Sequence, residues 1–143
     1  MKKPLLHTTL AVLTMPFVWV TAFATPTVSN GSTDLLLGEW TGRSLCVTTL
    51  RPACTDETVL YRLSKNTPAG LGFQLEMNKI VEGETQLMVQ LDCRFEETRQ
   101  QLICPVVGGQ WQFRWDGLML LGGLMDQGHV SMVRFATVRK NPG

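Results

Sequence analysis

Several features that would indicate an enzyme or a nucleic-acid-binding protein are missing from this sequence. The 143 residues carry 13 Lys and Arg against 12 Asp and Glu, so the formal net charge is +1 and no strongly basic surface is available for a phosphate backbone. Histidine is scarce, with two residues in the chain, and neither a Gly-x-Ser-x-Gly nor a His-Glu-x-x-His motif occurs. No glycine-rich phosphate-binding loop is present. The sequence therefore predicts no nucleic-acid partner, no enzymatic activity and no cofactor.

The remaining acid–base candidates do not form a catalytic set. His129 follows Gly128 at an expected turn, where it is best interpreted as a solvated residue at the end of a strand. The acidic pairs at 56–57 and 96–97 consist of adjacent residues, which point to opposite faces of a strand. Neither pair would converge on one substrate.

A long apolar run occurs at the N terminus. Two lysines precede a largely apolar stretch over residues 4–23, and Ala22-Phe23-Ala24 places small residues at the two positions that a signal peptidase inspects. A proline and threonines inside the run favour a cleaved signal over a membrane anchor, which is the alternative. We predict a bacterial-type signal peptide over residues 1–24. Export to the periplasm or beyond, as a protein that is not integral to the membrane once processed, follows from it.

The four cysteines all lie beyond the predicted signal peptide. An even number of cysteines in an exported chain predicts two disulfides. We favour the pairs Cys46–Cys54 and Cys93–Cys104, because a hairpin turning near residues 96–99 would place the second pair on opposed strands; the crossed pairings remain alternatives. The spacings C-x7-C and C-x10-C lack the short ligand pairs of zinc sites, and no redox C-x-x-C occurs. No metal site is predicted.

The rest of the chain has a pattern that is typical of short strands separated by turns. Residues 25–34 are polar and predict a flexible lead-in, and residues 35–143 form one domain. Apolar and polar residues alternate over 73–78, 87–93 and 111–115, which is the pattern of a half-buried strand. Turn signals rich in Gly, Asp and Asn separate such segments about every ten residues.

Eight strands follow from this pattern, at 36–48, 57–64, 72–80, 86–94, 100–106, 110–115, 117–125 and 129–139. Among the turns, Asp116-Gly117 predicts a type I′ hairpin turn, and Gly122-Gly123 a bulge or sharp bend. Short helices near residues 56–63 and 92–103 are the alternatives to strands there. Eight antiparallel strands can close on themselves and leave no free edge. The predicted fold is an all-β, disulfide-stapled, up-and-down barrel, with a two-sheet sandwich as the alternative.

The first predicted strand carries Gly38-Glu39-Trp40, and the last one carries arginines. A Gly-x-Trp on the first strand of a meander, with an Arg on the final strand, resembles the calycin barrels, the group of lipocalins and avidins. The resemblance implies that Trp40 lies across one end of the barrel and that Arg134 or Arg139 packs on its ring. The chain is shorter than typical lipocalins and lacks their C-terminal helix.

Large aromatic residues are the candidate ligand-binding residues. Trp111, Phe113 and Trp115 alternate along one predicted strand and, with Trp40 and Arg134, would line a pocket inside the barrel. For the three residues of that strand we favour a packed interior over a pocket, because an eight-stranded barrel is only just wide enough to be filled by its own side chains. The first functional hypothesis is an exported monomeric module that binds a small apolar or amphipathic molecule.

The second functional hypothesis is a protein-interaction module of the cell envelope, such as an inhibitor, an immunity-type protein or an accessory factor. Its candidate partner-binding residues are Arg51 and Pro52, in the loop 46–54 that the first disulfide would close. A disulfide-closed loop loses little conformational entropy when it binds a partner. The expected partner is thus either a small apolar ligand or an envelope protein.

Overall fold

The computed structural model describes residues 31–47, 53–66 and 72–143. After one short helix the described chain continues mostly as β-strands, and a 3-10 turn over Glu97–Arg99 connects the fourth strand to the fifth. The elements are α1 (Gly31–Asp34), β1 (Gly38–Cys46), β2 (Glu57–Asn66), β3 (Gly72–Val81), β4 (Glu84–Glu96), β5 (Gln101–Val106), β6 (Gly109–Trp115), β7 (Met119–Asp126) and β8 (Met132–Lys140).

The eight strands form one closed antiparallel barrel in the order of the chain. Each strand pairs with the next and β8 pairs back with β1, so that Gly42 lies opposite both Val59 and Val138. The predicted up-and-down barrel is confirmed, and the two-sheet sandwich is wrong. The barrel is consistent with the calycin-like layout that the sequence resembles.

The predicted alternation of side chains is observed in β3 but only partly in β4, where residues 84–90 are all exposed. In β3, Phe73, Leu75 and Met77 are buried, whereas the residues between them are half-buried. Both helical alternatives are wrong. Residues 57–66 form β2, and residues 92–103 are strand except at the 3-10 turn. In the closed barrel each of these segments is hydrogen-bonded to neighbouring strands, whereas an isolated helix of this length is only marginally stable.

The turn after β6 differs from the predicted type I′ geometry, which requires a positive φ at both central residues. Gly117 has φ = 97°, but Asp116 is outside the positive region. Asp116 instead stabilises the turn with its side chain, because its Oδ1 accepts the backbone N–H groups of Leu118 at 2.9 Å and Met119 at 2.7 Å. These two hydrogen bonds hold the pKa of the Asp116 carboxyl below its usual range.

Trp40 lies at one end of the barrel, where α1 enters. It is fully buried, and its Nε1 donates a hydrogen bond to the Leu36 carbonyl at 2.9 Å. Among the described residues, the cation over its ring is Lys140, with Nζ 5.8 Å from the ring centroid, so the expected packing of Arg134 or Arg139 is wrong. The register explains the difference, because Lys140 lies directly opposite Trp40 across β1 and β8. We call this end, with Trp40 and Leu36, the sealed end.

Both local disulfides are confirmed, and the crossed pairings are wrong. Cys46–Cys54 closes the loop that follows β1, with Cα atoms 5.8 Å apart. Cys93–Cys104 joins β4 to β5 inside the barrel wall, with Cα atoms 4.3 Å apart and both side chains buried. Two disulfides are compatible with an oxidising extracellular or periplasmic environment.

The predicted signal peptide, residues 1–24, lies outside the described residues, as does the lead-in up to residue 30. The last four residues of that lead-in form α1. Over the described ranges, none of the helices has both the length and the apolar character needed to cross a membrane.

Candidate functional site

A cavity of about 130 Å³ opens at the end of the barrel opposite the sealed end, which we call the open end. Its walls come from strands that are far apart in the chain, namely β1, β2, β3, β4, β6 and β8. The lining has a polar side, formed by Ser44, Glu57, Tyr61 and Arg134, and an apolar side, formed by Met77, Met88, Val89 and Trp111. The cavity therefore has the two-sided lining that suits an amphipathic molecule.

Arg134 organises the polar side. Its guanidinium forms an ion pair with Glu57, with Nη2 2.9 Å from Oε2, and both side chains are mostly buried. It also donates hydrogen bonds to the Ser44 hydroxyl at 3.0 Å and to the Thr55 carbonyl at 2.8 Å. Because Glu57 balances the charge of Arg134, this side of the cavity is polar with no net charge.

Tyr61 contributes a buried hydroxyl that makes no well-formed hydrogen bond within the described part of the chain, although the Ser44 hydroxyl lies near enough to influence it. The residue is fully buried, and its Oη has no partner at hydrogen-bonding geometry there. Burial raises the pKa of the Tyr61 phenol far above its ordinary value, and the nearby Ser44 hydroxyl only partly opposes that shift. Tyr61 therefore carries a neutral O–H that can donate to an acceptor.

A β-bulge shapes the apolar side. Val89 pairs with Met77 and Leu87 pairs with Asn78, so Met88 is an extra residue in β4. Successive residues of a regular strand point to opposite faces, but a bulge turns one of them. The irregularity explains how two neighbours, Met88 and Val89, both line the cavity.

Trp111 forms the aromatic part of the lining and rests on a rigid support. Its ring stacks on that of Phe113, with centroids 5.2 Å apart and planes within 3°. Phe113 is fully buried and also contacts the edge of Tyr61, at 6.0 Å between centroids. Stacked and edge-to-face contacts of this kind fix ring orientation, so the cavity is largely preformed.

The structure brings together two of the five predicted ligand residues. Trp111 and Arg134 line the cavity, and Phe113 lies next to Trp111 in the core. Trp40 lies at the sealed end, and Trp115 is near it, in edge contact with Phe95. The interior between the two ends is filled by side chains, as the packed alternative expected. The loop candidates, Arg51 and Pro52, lie outside the described residues.

Sequence reasoning missed the remaining lining residues. Tyr61 left one signal, because it is the chain's lone tyrosine and stands in an apolar strand segment where Leu or Phe would fill the same space. Glu57 and Ser44 carried no signal, since their proximity depends on the register between β1 and β2, in which they are direct neighbours.

The described ranges contain no group of three or more His, Cys, Asp or Glu residues arranged to hold a metal ion. Comparison of the chain with protein-family models, with curated proteins and with solved structures gives no match.

Proposed function

We propose that this protein is an exported binding module for a small, neutral, amphipathic molecule, held at the open end of the barrel. The observation that carries the proposal is the buried Tyr61 hydroxyl, which has no partner at hydrogen-bonding geometry among the described residues and lies beside a cavity that is otherwise half apolar. A buried donor without a partner costs about 1–3 kcal/mol. An acceptor on a bound molecule would recover that cost, while the apolar part of the molecule would contact Met77, Met88 and Trp111.

The size of the cavity limits the part of the molecule that enters it. An apolar cavity of about 150 Å³ can hold a benzene molecule. At about 130 Å³, this cavity fits one ring or a short branched chain. A longer molecule would leave its remainder at the mouth.

The electrostatics select the polar group. Arg134 is engaged by Glu57, Ser44 and Thr55, so it offers little to an added anion. An added cation would gain little from Glu57, because Arg134 already balances its charge. The preferred group is an uncharged acceptor, such as a carbonyl or hydroxyl oxygen.

Two probes of similar shape test this assignment. Acetophenone has a carbonyl acceptor on an aromatic ring, and cumene has a methyl group in place of that oxygen. We expect acetophenone to bind the full-length processed protein at one site, shifting the NMR signal of the Trp111 indole. Tyr61→Phe should weaken acetophenone about fivefold, since a neutral hydrogen bond contributes about 1 kcal/mol, and should leave cumene affinity unchanged.

Two controls make the result interpretable. Met88→Ala, on the half-exposed apolar wall, should weaken both probes. Without ligand, Tyr61→Phe should keep or raise the free energy of unfolding, because it removes an unpartnered hydroxyl. Absence of saturable binding, or an equal loss of both probes in Tyr61→Phe, would contradict the proposed site.

Protein interaction through the loop 46–54 is the second candidate function. The specific observation that favours it is the attachment of the loop base to the barrel, where Arg134 contacts Cys54 Sγ at 3.6 Å and the Thr55 carbonyl. The proposal would fail if an Arg51→Glu variant captured the same envelope proteins as the unaltered chain in a pull-down.

Export completes the proposal. The sequence pattern of residues 1–24 predicts cleavage before Thr25, and the two disulfides suit an oxidising compartment. The intact mass of protein recovered from the periplasm reports the N-terminal residue.

A further inference from the structure

Within the closed barrel, most of β4 is paired on one side only in the described part of the chain. On the β3 side, β4 pairs from Glu84 to Cys93, but on the β5 side its pairs are confined to residues 94–96. Residues 84–92 therefore have a free edge within the described part of the chain. We call this segment the β4 edge.

The sequence of β5 accounts for the gap. The register that joins Arg94 to Ile103 would place Cys93 opposite Cys104 and Asp92 opposite Pro105. Proline has no N–H to donate to a neighbouring strand. β5 then ends at Val106, so it is too short to cover the remainder of the β4 edge.

The β4 edge lacks the features that usually protect a free strand. Exposed edges commonly carry lysine, proline or a charge in their middle. Here residues 85–91 contain neither a charged residue nor a proline, and Leu87, Met88 and Val89 are consecutive and exposed. Leu87 is 59% exposed. The bulge at Met88 disturbs the ladder with β3, on the side away from the free edge.

We propose that the β4 edge is a docking site for an extended polypeptide segment with an apolar middle and basic ends, which adds to the barrel as a further strand. Strand addition uses main-chain hydrogen bonds for affinity and side-chain pairing for selectivity. The charges at the two ends of the segment define the selectivity. Glu84 and Asp92 flank the uncharged run. Asp92 Oδ1 accepts a hydrogen bond from the uncharged Asn66 amide at 2.6 Å, and its other oxygen can meet a cation. Lysine or arginine at the ends of the partner would therefore pair with both carboxylates.

The same charges disfavour a second copy of this chain as the occupant. An antiparallel pair of β4 edges centred on Met88 matches the three apolar residues of each copy. That register places Glu84 of one copy opposite Asp92 of the other, at both ends of the pair. Like charges directly opposite each other destabilise a strand pair.

This surface differs from the site proposed for a small molecule, although they adjoin. Met88 and Val89 belong to both, so a docked strand would lie across one side of the cavity mouth. Strand addition depends on the backbone of residues 84–92 and does not use the Tyr61 hydroxyl. Tyr61→Phe should therefore leave docking unchanged, which separates a failure of this inference from a failure of the proposed function.

The test uses two synthetic peptides and the full-length processed protein. Lys-Thr-Val-Thr-Val-Thr-Val-Thr-Lys spans the nine positions from Glu84 to Asp92 and has the proposed pattern. Glu-Thr-Val-Thr-Val-Thr-Val-Thr-Glu reverses its charges. We expect the basic-ended peptide to shift the backbone amide NMR signals of residues 85–91 to saturation and to slow their hydrogen exchange. The acidic-ended peptide should bind at least about fivefold more weakly, from two lost ion pairs of modest strength.

A matched pair of charge reversals locates the contact. Glu84→Lys should weaken the basic-ended peptide and strengthen the acidic-ended one. Glu97→Lys makes the same change in net charge on the exposed turn between β4 and β5, and should alter neither affinity.

Four outcomes would overturn the proposal. The first is the absence of saturable amide shifts in residues 85–91. The second is equal affinity for the two peptides. The third is concentration-dependent shifts of the same amides without peptide, which would identify a second copy as the occupant. The fourth is strong exchange protection of these amides in the free protein, which would mean that another segment of this chain covers the edge.

Discussion

Tyr61 is the residue at which the needs of folding and of the proposed function separate. Phenylalanine would fill the same space in the core and keep the edge contact with Phe113 without burying a hydroxyl. The hydroxyl is therefore unnecessary for packing. Such a residue is where a functional requirement becomes visible in an otherwise well-packed interior.

Gly122 provides the prediction at the residue scale. A Cβ atom there would lie 2.1 Å from the Gln112 carbonyl oxygen and 2.6 Å from the Phe113 Cα, both of them backbone atoms of β6. Gly122→Ala should therefore lower the free energy of unfolding by about 2 kcal/mol or more, because β6 and β7 would have to move apart. Urea unfolding measures the change.

Gly72→Ala is the matched control, since its Cβ would lie 3.4 Å from the Cys93 carbonyl, an ordinary contact. We expect that variant to change stability by less than about 1 kcal/mol. Equal effects of the two substitutions would show that close approach of the strands is not the reason for Gly122.

At the scale of elements, β4 shows what a strand pattern reveals and what it hides. The alternation of apolar and polar residues predicted this strand, because the period of two depends only on the strand's own sequence. The bulge at Met88 depends on β3, and the start of pairing with β5 only at Arg94 depends on Pro105 of β5. A single-strand pattern carries no information about the length or register of its neighbours.

The disulfide Cys93–Cys104 lies next to Arg94 and Ile103, which pair at the end of the ladder between β4 and β5. Replacing both cysteines by alanine should destabilise the protein by about 3 kcal/mol. It should also speed hydrogen exchange in the short β4–β5 ladder, because only the three residue pairs of that ladder would then join β4 to β5 in the described part of the chain. Urea unfolding and exchange measured by NMR give the two results.

The other disulfide serves as the control. Replacing Cys46 and Cys54 by alanine should lower stability through the loop alone and leave exchange in the β4–β5 ladder unchanged. If both double variants accelerated that exchange equally, the bridge between β4 and β5 would have no special part in closing the barrel.

At the scale of the whole molecule, the candidate site could be predicted only in part. Trp111 and Arg134 were found because aromatic residues and a last-strand arginine are recognisable by type. Glu57 and Met77 were not, since ordinary residues become lining residues only through the register of a closed barrel. Residue 44 and residue 134, which share a hydrogen bond, are 90 positions apart in the chain.

Acid should destabilise the whole barrel, and the sign follows from its carboxylates. Hydrogen bonds hold four carboxyl pKa values below their ordinary range, those of Glu39, Glu76, Asp116 and Asp126. A carboxyl whose pKa is lower in the folded state adds stability above its unfolded pKa, near 4, and that stability is lost as pH falls through the folded pKa. We expect the free energy of unfolding in urea to be lower at pH 3 than at pH 6.

Arg62 bridges two of these groups, with its Nε 2.8 Å from Glu39 and its Nη1 2.9 Å from Glu76. Arg62→Gln should reduce the difference in stability between pH 6 and pH 3, because the pKa values of both carboxyls would move back towards their ordinary range. Equal stability of the unaltered protein at the two pH values would contradict this account.

The chain enters and leaves the barrel at its sealed end. The Asn141 amide donates to the Glu39 carbonyl at 2.9 Å, and the Lys140 ammonium donates to the Leu35 carbonyl, so the C-terminal residues lie against the segment that follows α1. Ser44 and Glu57 lie at the mouth of the cavity, at the ends of β1 and β2 that are farther from the sealed end. A tether, a fusion partner or a solid support joined after Gly143 is therefore attached at the sealed end, and the mouth of the cavity points away from the attachment.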